Sequence, residues 1–517
     1  MSCPALNYPG SFSEVQDNSS IASYLSRSKG NRMPALLYLY QMLETFRHLF
    51  SRRTPWLLFC LIIIGFIVTP HPEGLSSLCQ FWLSHDTDYH RLLHFFHSSA
   101  WQLEPLIAHW SGLVLNQHIA VEVEGRHILL GDHTAVVKDA RRMPGVVTLH
   151  QHSETQSKPN YFRGHYWGVL GLLTGSLQEA FCTPLEARLH QGLVHIDPEL
   201  PSYADRDTQS TRLLHMALAF VKRHSTQAFL VLDAFFASAN VFELANSYWA
   251  IELKQPCLYI ITRAKKNYRA YLIPQAPTSP RAGRPRKCGD KIKLYEVFET
   301  HRAQFIDAVC QVYGHEETVS YLALNLMWKP LKAPLRFIFA ITSRGPMVLM
   351  SNDLSLQPSV AIALYCARVR VETMFAMLKG LLGTFAYRFW SRYIERQSRK
   401  PKKNATLKAP HHDHLEAVQS TWNACEGFVM LGCIALGLLQ LIALHYDTHI
   451  WLTFTRFLRT RRRALPSERT VKAVLAQELL KDFYSLKPRA MMQEIRDLAR
   501  HPDDLDEQTE RLPQRQL

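Results

Sequence analysis

The sequence lacks the paired cysteines of a zinc ribbon or a small disulfide-bonded domain. Its ten cysteines include no Cys-x-x-Cys pair and follow no regular spacing, so we expect core thiols and a reducing compartment. We also find no signal-peptide pattern, no internal repeat and no disordered composition, since 47% of the 517 residues are hydrophobic and 20% are charged. These absences favour a folded protein of two or three domains.

Acidic residues are too few to balance the basic ones. The 59 Lys and Arg residues exceed the 44 Asp and Glu residues, which gives a formal net charge of +15 and a pI near 9.3. A charge of this sign favours a polyanionic partner, either nucleic acid or an acidic membrane surface. A basic surface without a specific partner is the alternative at this stage.

Apolar runs of the roughly 20 residues that cross a bilayer are also missing. The run at residues 56–69 is short, and the run at residues 428–444 is interrupted by Gly432, Gly437 and Gln440. We expect both to be buried helices and expect no stable membrane insertion. A membrane span is the alternative for the second run, which lies near the lower limit of spanning length.

The order of helical and extended patterns predicts an α/β protein with helical regions at both ends. The first region is rich in Arg, His and aromatic residues, which suits a helical DNA-binding module or a plain helical bundle; its predicted helices are 34–50, 56–69, 88–100 and 103–115. An α/β unit with a mixed sheet follows, with strands 121–130, 145–149, 165–173, 228–232 and 257–262 and helices 213–224 and 240–253. Residues 266–353 read as a β-rich insertion with strands 292–300, 317–327 and 335–342, and residues 425–446 and 467–500 as C-terminal helices.

One predicted helix carries an unusual line of polar residues. Residues 359–379 contain no Gly or Pro, and Tyr365, Arg368, Glu372 and Lys379 fall within a wedge of about 60° at 100° per residue. An apolar stripe runs beside them. One carboxylate, two cations and a phenol on a single helix face suit a metal ion and a phosphate.

Two aspartates complete the candidate constellation. Asp132 and Asp233 each follow an apolar strand, so neighbouring strand ends and one helix can gather them with Glu372. Three carboxylates can hold two hard cations that activate a water or a 3′-hydroxyl at a phosphodiester. Asp233 could instead cap a helix, and Asp139 is a rival for the first position, although it lies past the strand end.

These residues resemble a known family. The spacing Tyr365-x2-Arg368-x3-Glu372-x6-Lys379 resembles the Tyr-Arg-Glu-Lys signature of bacterial insertion-sequence DDE transposases of the IS-four group. The segments around Asp132 (Gly-Asp-His-Thr) and Asp233 (Leu-Asp-Ala-Phe-Phe-Ala) are similar to the first and second aspartate motifs of that family.

The resemblance implies an RNase H-like catalytic core that performs cut-and-paste transposition as a homodimer on double-stranded DNA, namely inverted-repeat ends and target DNA. Asp132, Asp233 and Glu372 would bind two Mg²⁺ (or Mn²⁺) ions, and the remaining signature residues would hold phosphates. Some relatives form a DNA hairpin held by a tryptophan of the insertion domain. Trp328 lies in the predicted insertion of this chain, and hairpin formation stays open.

Basic segments outside this constellation supply further DNA-binding candidates. Arg284, Arg286 and Lys287 resemble a minor-groove hook, with a flexible basic loop as the alternative. We expect residues 459–463 to contact phosphates, with a solvated face or a targeting patch as the alternative. The His411-His-Asp-His414 run has metal-ligand chemistry but no partner at a known spacing, so a solvated loop is preferred.

The resulting interpretation is a cytoplasmic, nucleoid-associated transposase. We expect a loose tail (1–32), a helical DNA-binding region (33–117), an RNase H-like core in two parts (118–265 and 354–395) split by the β-rich insertion (266–353), and a basic helical C-terminal region (396–517). The competing interpretations are a DNA-binding regulator or inactive transposase remnant, and a membrane-associated basic protein.

Overall fold

A computed structural model describes most of the chain. The described residues are 33–82, 86–150, 160–197, 208–250, 255–274, 287–400, 407–456 and 464–499. The predicted tail at 1–32 and the basic run at 459–463 lie outside these ranges.

Five helices precede the sheet: α1 (Pro34–Thr45), α2 (Arg53–Val68), α3 (Leu75–Trp82), α4 (Asp86–His97) and α5 (Leu103–Leu115). Four occupy predicted positions, whereas α3 was not predicted. Helix α2 is apolar around its whole circumference and is buried along almost its whole length. Such a helix has no solvent face to present, so it packs in the protein interior between helices from the C-terminal region.

One large mixed sheet forms the centre of the protein. Its first strands are β1 (Glu122–Val123), β2 (Arg126–Val137), β3 (Val147–His150), β4 (Tyr161–Gly175) and β5 (Ala180–Leu189). Helix α6 (Gln209–Arg223), strand β6 (Ala228–Val231), helix α7 (Ala239–Ser247) and strand β9 (Leu258–Arg263) follow, and β7 (Trp249–Ala250) with β8 (Gln255–Pro256) make a separate short ladder. The core order is β5-β4-β2-β6-β9, in which β6 is parallel to β2 and to β9 and the other pairs are antiparallel.

Strand β5 was missed by the sequence analysis because Pro184 and Glu186 interrupt its apolar pattern. In the structure the β4–β5 register shifts at Leu170/Gly171, so Pro184 lies at an irregularity where its missing N–H costs no ladder bond. The Pro184 carbonyl accepts a hydrogen bond from Nε1 of Trp110 in α5 at 2.8 Å. The irregularity therefore also attaches the N-terminal helices to the sheet.

The following β strands extend the same sheet rather than forming a separate one. They are β10 (Arg269–Tyr271), β11 (Lys291–Lys293), β12 (Ile306–Val312), β13 (His315–Trp328), β14 (Ala333–Thr342) and β15 (Gly345–Ser351), and β15 pairs with β9. The predicted strand at 292–300 is wrong beyond Lys293. A 3₁₀ turn and helix α8 (Val297–Thr300) replace it, because Leu294, Val297 and Phe298 have helical spacing and the first two are buried.

The chain then returns to helices: α9 (Pro358–Ala367), α10 (Val369–Ala376) continuing as a π-helix (Met377–Leu381), α11 (Leu415–His445), α12 (Asp447–Thr453), α13 (Glu468–Phe483) and α14 (Ala490–Ala499). Within the described residues one helix, His412–His445 with its preceding turn, is long and apolar enough to cross a membrane, and 94% of its apolar window is buried.

The glycines that interrupt this long helix are close-packing positions. A Cβ at Gly437 would lie 2.2 Å from Cζ2 of Trp110, and one at Gly432 would lie 2.4 Å from Cγ2 of Thr384. Helix α11 is thus packed against the N-terminal helices on one side and the sheet on the other. A core helix of a folded protein explains both its apolar composition and its interruptions.

Candidate active site

The two aspartates lie side by side on neighbouring parallel strands. The β2–β6 ladder pairs Leu129 with Leu230 and Leu130 with Val231, and each aspartate follows two residues further along its chain. Asp132 and Asp233 therefore occupy equivalent positions just beyond the last paired row, on the same side of the sheet. Their mutual electrostatic influence agrees with this placement, because the charge of Asp233 raises the pKa of Asp132.

The sequence pattern predicted Asp132 at the end of its strand, and this prediction is wrong: Asp132 lies within β2. Strand β2 continues to Val137 because β4 pairs with it up to Val137 and Gly164. What ends near Asp132 is the parallel partner β6, at Val231. The rival Asp139 lies past Val137 with an exposed side chain that forms an ion pair with Arg399.

Asp233 does cap a helical turn, as the alternative interpretation allowed. One carboxylate oxygen accepts a hydrogen bond from the Phe235 N–H at 2.9 Å at the start of a 3₁₀ turn. Its backbone carbonyl accepts a bond from the buried Thr262 hydroxyl at 2.5 Å. These two contacts fix the carboxylate at the carboxyl end of β6, beside Asp132.

The predicted polar helix is present but is not a uniform α-helix. Helix α9 ends at Ala367, Arg368 occupies the junction, and α10 passes into a π-helix at Met377. Arg368 is where the helix meets the strands: it donates to Asp132 at 2.9 Å and to Glu372 at 3.4 Å. The structure therefore joins one strand carboxylate and the helix carboxylate through a single guanidinium.

Alternate residues of β2 contact this helical segment in chain order. Asp132 meets Arg368, and the Thr134 hydroxyl accepts a hydrogen bond from Nζ of Lys379 in the π-helix. Because side chains on a strand alternate between faces, both residues point to the face that the helix covers. Tyr365 is largely buried beside Arg368, and burial raises the pKa of its phenol.

Asp132 is held in an environment that disfavours its charge. Its side chain is 21% exposed, and burial raises its pKa to about 6, an effect that Arg368 opposes and Asp233 reinforces. By contrast, Glu372 is 65% exposed and stands at the solvent side of the same guanidinium. A largely buried carboxylate pair with one cationic neighbour therefore retains excess negative charge.

No group of three His, Cys, Asp or Glu side chains among the described residues is close enough to hold a metal ion in this conformation. Nevertheless the chemistry of the donor set fits one. Asp132 and Asp233 are adjacent oxygen donors, and Glu372 is tied to Asp132 through Arg368. Oxygen-rich sites with excess negative charge suit hard divalent cations.

The opposite face of β2 carries residues to which the sequence analysis gave no role. His133 stacks on Tyr166 and Phe236, and its Nε2 lies 2.9 Å from Nδ1 of His190. Burial lowers the pKa of His133 to about 3, so the ring is neutral. Strand alternation, which points residue 133 away from the helix, was the signal that could have located this support. These rings fix β2 from behind.

The other predicted positions lie away from this cluster or outside the described residues. Arg284 and Arg286 are outside the described ranges, and Lys287 is exposed. Trp328 is 3% exposed and packs on Phe242 and Tyr268, so it offers no free face to a base. His411 pairs with Asp413 on the surface.

Comparison with known families supplies the decisive observation. A family model described as DDE superfamily endonuclease matches residues 46–319, just over half of the chain. The chain belongs to the DDE superfamily of endonucleases. It is therefore an enzyme of the transposase-type nuclease class, whose members act on DNA and generally use divalent metals.

The superfamily match covers two of the three candidate carboxylates. It includes Asp132 and Asp233 and ends before Glu372. No curated protein matches the chain. The place of Glu372 in this DDE enzyme therefore depends on the contact that the structure gives it with Arg368.

Proposed function

We propose that the protein is a cut-and-paste transposase of the IS-four group with the Tyr-Arg-Glu-Lys signature. It would bind the inverted-repeat ends of its element, cleave them and join them to target DNA. The observation that carries the proposal is the cluster of Asp132, Asp233 and the Arg368–Glu372 pair where β2, β6 and α10 meet. The core order of three antiparallel strands and two parallel strands with helical connections supports an RNase H-like core.

In this proposal Asp132, Asp233 and Glu372 hold two Mg²⁺ (or Mn²⁺) ions. When bound, the ions would lower the pKa of an attacking water or 3′-hydroxyl and stabilise the leaving oxygen of the phosphodiester. The two aspartates are fixed by the sheet and by the Thr262 contact, so little reorganisation is needed on that side. The exposed Glu372 is the side chain with most freedom to adjust.

Arg368 and Lys379 would bind phosphate oxygens of the DNA in this proposal, and their contacts in the metal-free structure support that role. In the absence of bound ions Arg368 donates to both Asp132 and Glu372, and Nζ of Lys379 donates to the Thr134 hydroxyl further along β2. Once divalent ions neutralise the carboxylates, Arg368 becomes available for a non-bridging phosphate oxygen. Tyr365, largely buried beside it, would donate a hydrogen bond from its hydroxyl to the same phosphate.

The test is cleavage of a plasmid that carries the DNA flanking the gene, in Mg²⁺. Glu372→Gln keeps the side-chain shape but removes the charge, so we expect cleavage to fall by at least two orders of magnitude with DNA binding retained, because carboxylate ligands are lost from the transition state. Glu416→Gln, at an exposed position in the first turn of α11, is the matched control and should cleave normally.

Each competing interpretation has its own outcome in this assay. Full cleavage by Glu372→Gln would overturn the assigned role, and binding without cleavage by the wild-type protein would favour a regulator or inactive remnant. Short inverted repeats on both sides of the gene would identify the substrate. Homodimerisation and association with the nucleoid belong to the same proposal, and light scattering of the protein with paired DNA ends measures the former.

A further inference from the structure

A cavity of about 820 Å³ opens beyond the end of β2, outside the carboxylate cluster. Its walls are mainly residues 137–143, which are the last residue of β2 and the loop after it, and the segment at 385–396, which follows the π-helix. The two walls are joined by backbone bonding, since the Ser391 N–H donates to the Arg142 carbonyl at 2.9 Å. The cavity is therefore a built feature of the fold.

A buried lysine forms the inner wall. Nζ of Lys138 donates to the carbonyls of Phe385 at 2.6 Å and Tyr387 at 2.8 Å, and it lies 3.5 Å from the centre of the Tyr387 ring. These contacts fix the segment after the π-helix against the end of β2. Burial lowers the pKa of Lys138 to about 7, so the positive charge of the cavity comes mainly from the arginines at its surface.

The rim is strongly basic and its arginines have few internal partners. Within the described part of the chain, no carboxylate forms an ion pair with the four arginines that line the cavity: Arg141, Arg142, Arg388 and Arg396. Nε of Arg141 is enclosed and has no hydrogen-bond partner. Of the two acidic lining residues, Asp139 is already paired with Arg399 at 3.3 Å and Glu73 is the other.

An exposed aromatic ring completes the site. Trp390 lines the cavity with 65% of its surface exposed, although the neighbouring Phe389 is buried. An exposed indole beside a basic cavity offers a flat apolar face on which a base can stack. Proteins that bind single-stranded nucleic acid combine a positively charged groove with aromatic side chains on which bases stack, and this cavity has both.

The cavity lies on the line of β2 that already passes through the carboxylate cluster. Asp132, Thr134 and Lys138 face the same side, and each contacts the segment that begins at Arg368. Lys138 is six positions beyond Asp132, just past the end of β2, and six steps of extended chain span about 20 Å. At about 3.4 Å per base pair, this corresponds to roughly six base pairs of DNA.

We propose that this basic groove, formed by Lys138, Arg141, Arg142, Arg388, Trp390 and Arg396, is a second DNA contact that holds a strand about six nucleotides from the phosphate being cleaved. The arginines would bind backbone phosphates, and Trp390 would stack on a base that is unpaired there. The inference rests on the proposed function, because the DNA must first be positioned at the carboxylate cluster.

The experiment measures binding by the full-length protein of a short blunt duplex and of the same duplex with a single-stranded extension, across a range of salt concentrations. Arg388→Gln combined with Arg396→Gln should reduce the slope of log K against log salt by about 2, since each phosphate contact contributes about 0.9. Trp390→Ala should weaken binding of the extended duplex about fivefold or more, and Trp390→Phe should restore most of it.

Matched controls lie on other surfaces. Arg302→Gln removes one exposed arginine near β12, and Trp249→Ala removes another half-exposed indole; neither should change the slope or the preference for the extension. Thermal unfolding confirms that each variant is folded.

Unchanged slopes in the double variant, with wild-type protein that binds and cleaves DNA, would overturn the groove and leave the proposed function standing. Equal losses in the control variants would also overturn it. Wild-type protein that binds no DNA would refute both proposals. Tighter binding of an acidic peptide than of either duplex would assign the groove to a protein partner and refute the DNA contact.

Discussion

Replacing Asp132 with asparagine should make the metal-free protein more stable while removing its activity. The pKa of Asp132 is raised to about 6 in the folded protein from an ordinary value of 3.8, mainly by burial. A difference of about 2.2 units corresponds to about 3 kcal/mol that the ionised carboxylate costs the folded state. Asparagine has the same shape without that charge.

The sign follows from proton linkage. A carboxyl group with a raised folded-state pKa supports stability below pH 3.8, and that support is lost as the pH rises to about 6. Above pH 6 the full penalty applies to the wild-type protein alone. At pH 7.5 we therefore expect Asp132→Asn to unfold about 3 °C higher, using about 2.1 cal/mol/K per residue for the entropy of unfolding.

The assay is thermal unfolding of both proteins with and without Mg²⁺ or Mn²⁺, followed by plasmid cleavage. Ligand that binds only the folded state raises its melting temperature, so the wild-type protein should respond to metal and Asp132→Asn should not. Asp139→Asn is the control, because Asp139 is exposed and forms an ion pair with the exposed Arg399 on the surface. Its melting temperature should stay within measurement error.

Two results would refute the reasoning. A lower melting temperature for Asp132→Asn in metal-free buffer would mean that the Asp132–Arg368 contact is a structural ion pair. An undiminished metal response would mean that the ions bind elsewhere. The difference in stability between the two proteins should also shrink below pH 6, which titration of the melting temperature measures independently.

The remaining predictions concern the supports of the site. Lys472→Met should lower the free energy of unfolding by about 2–3 kcal/mol, because Nζ of Lys472 donates to three buried carbonyls, including that of Leu381 at 3.1 Å at the end of the π-helix. Denaturant unfolding measures this loss, and cleavage should fall with it. His165 is buried, with its pKa lowered to about 3, and its Nδ1 accepts from the Tyr387 hydroxyl. The stability that neutral His165 contributes is present above pH 6.5 and falls by about 2 kcal/mol at pH 5. His165→Gln should therefore lose about 2 kcal/mol less than the wild-type protein when unfolding is compared at the two pH values.

Local pattern predicted the parts of the fold in which one chemical signal dominates. The all-apolar helix α2, the apolar strand before Asp233 and the long helix α11 follow from composition and period alone. Strand β5 did not, because Pro184 is tolerated only at a register irregularity that pairing with β4 creates. The end of β2 was likewise decided by a distant partner strand and not by its own residues.

The candidate site was predictable as a set of residues but not as an arrangement. Helical spacing placed Tyr365, Arg368, Glu372 and Lys379 on one face. It could not show that Arg368 lies at a junction between two helical segments and reaches a strand. Nor could it show the groove at the end of β2, because the arginines that line it come from two segments far apart in the chain.

The contact between Arg368 and Asp132 is the point at which a structural interpretation and a functional one diverge. Where a buried ion pair stabilises the fold, the free energy of unfolding falls by several kcal/mol when one partner becomes neutral. Here burial outweighs the attraction of Arg368, since the pKa of Asp132 is raised and not lowered. The charge therefore costs the folded protein stability that protonation or a further cation would return, which is the behaviour expected of a carboxylate that serves binding. Asp132→Asn should have a lower melting temperature than the wild-type protein if the contact is a structural ion pair, and a higher one if Asp132 is a metal ligand. The melting temperature of the metal-free variant therefore distinguishes the two interpretations.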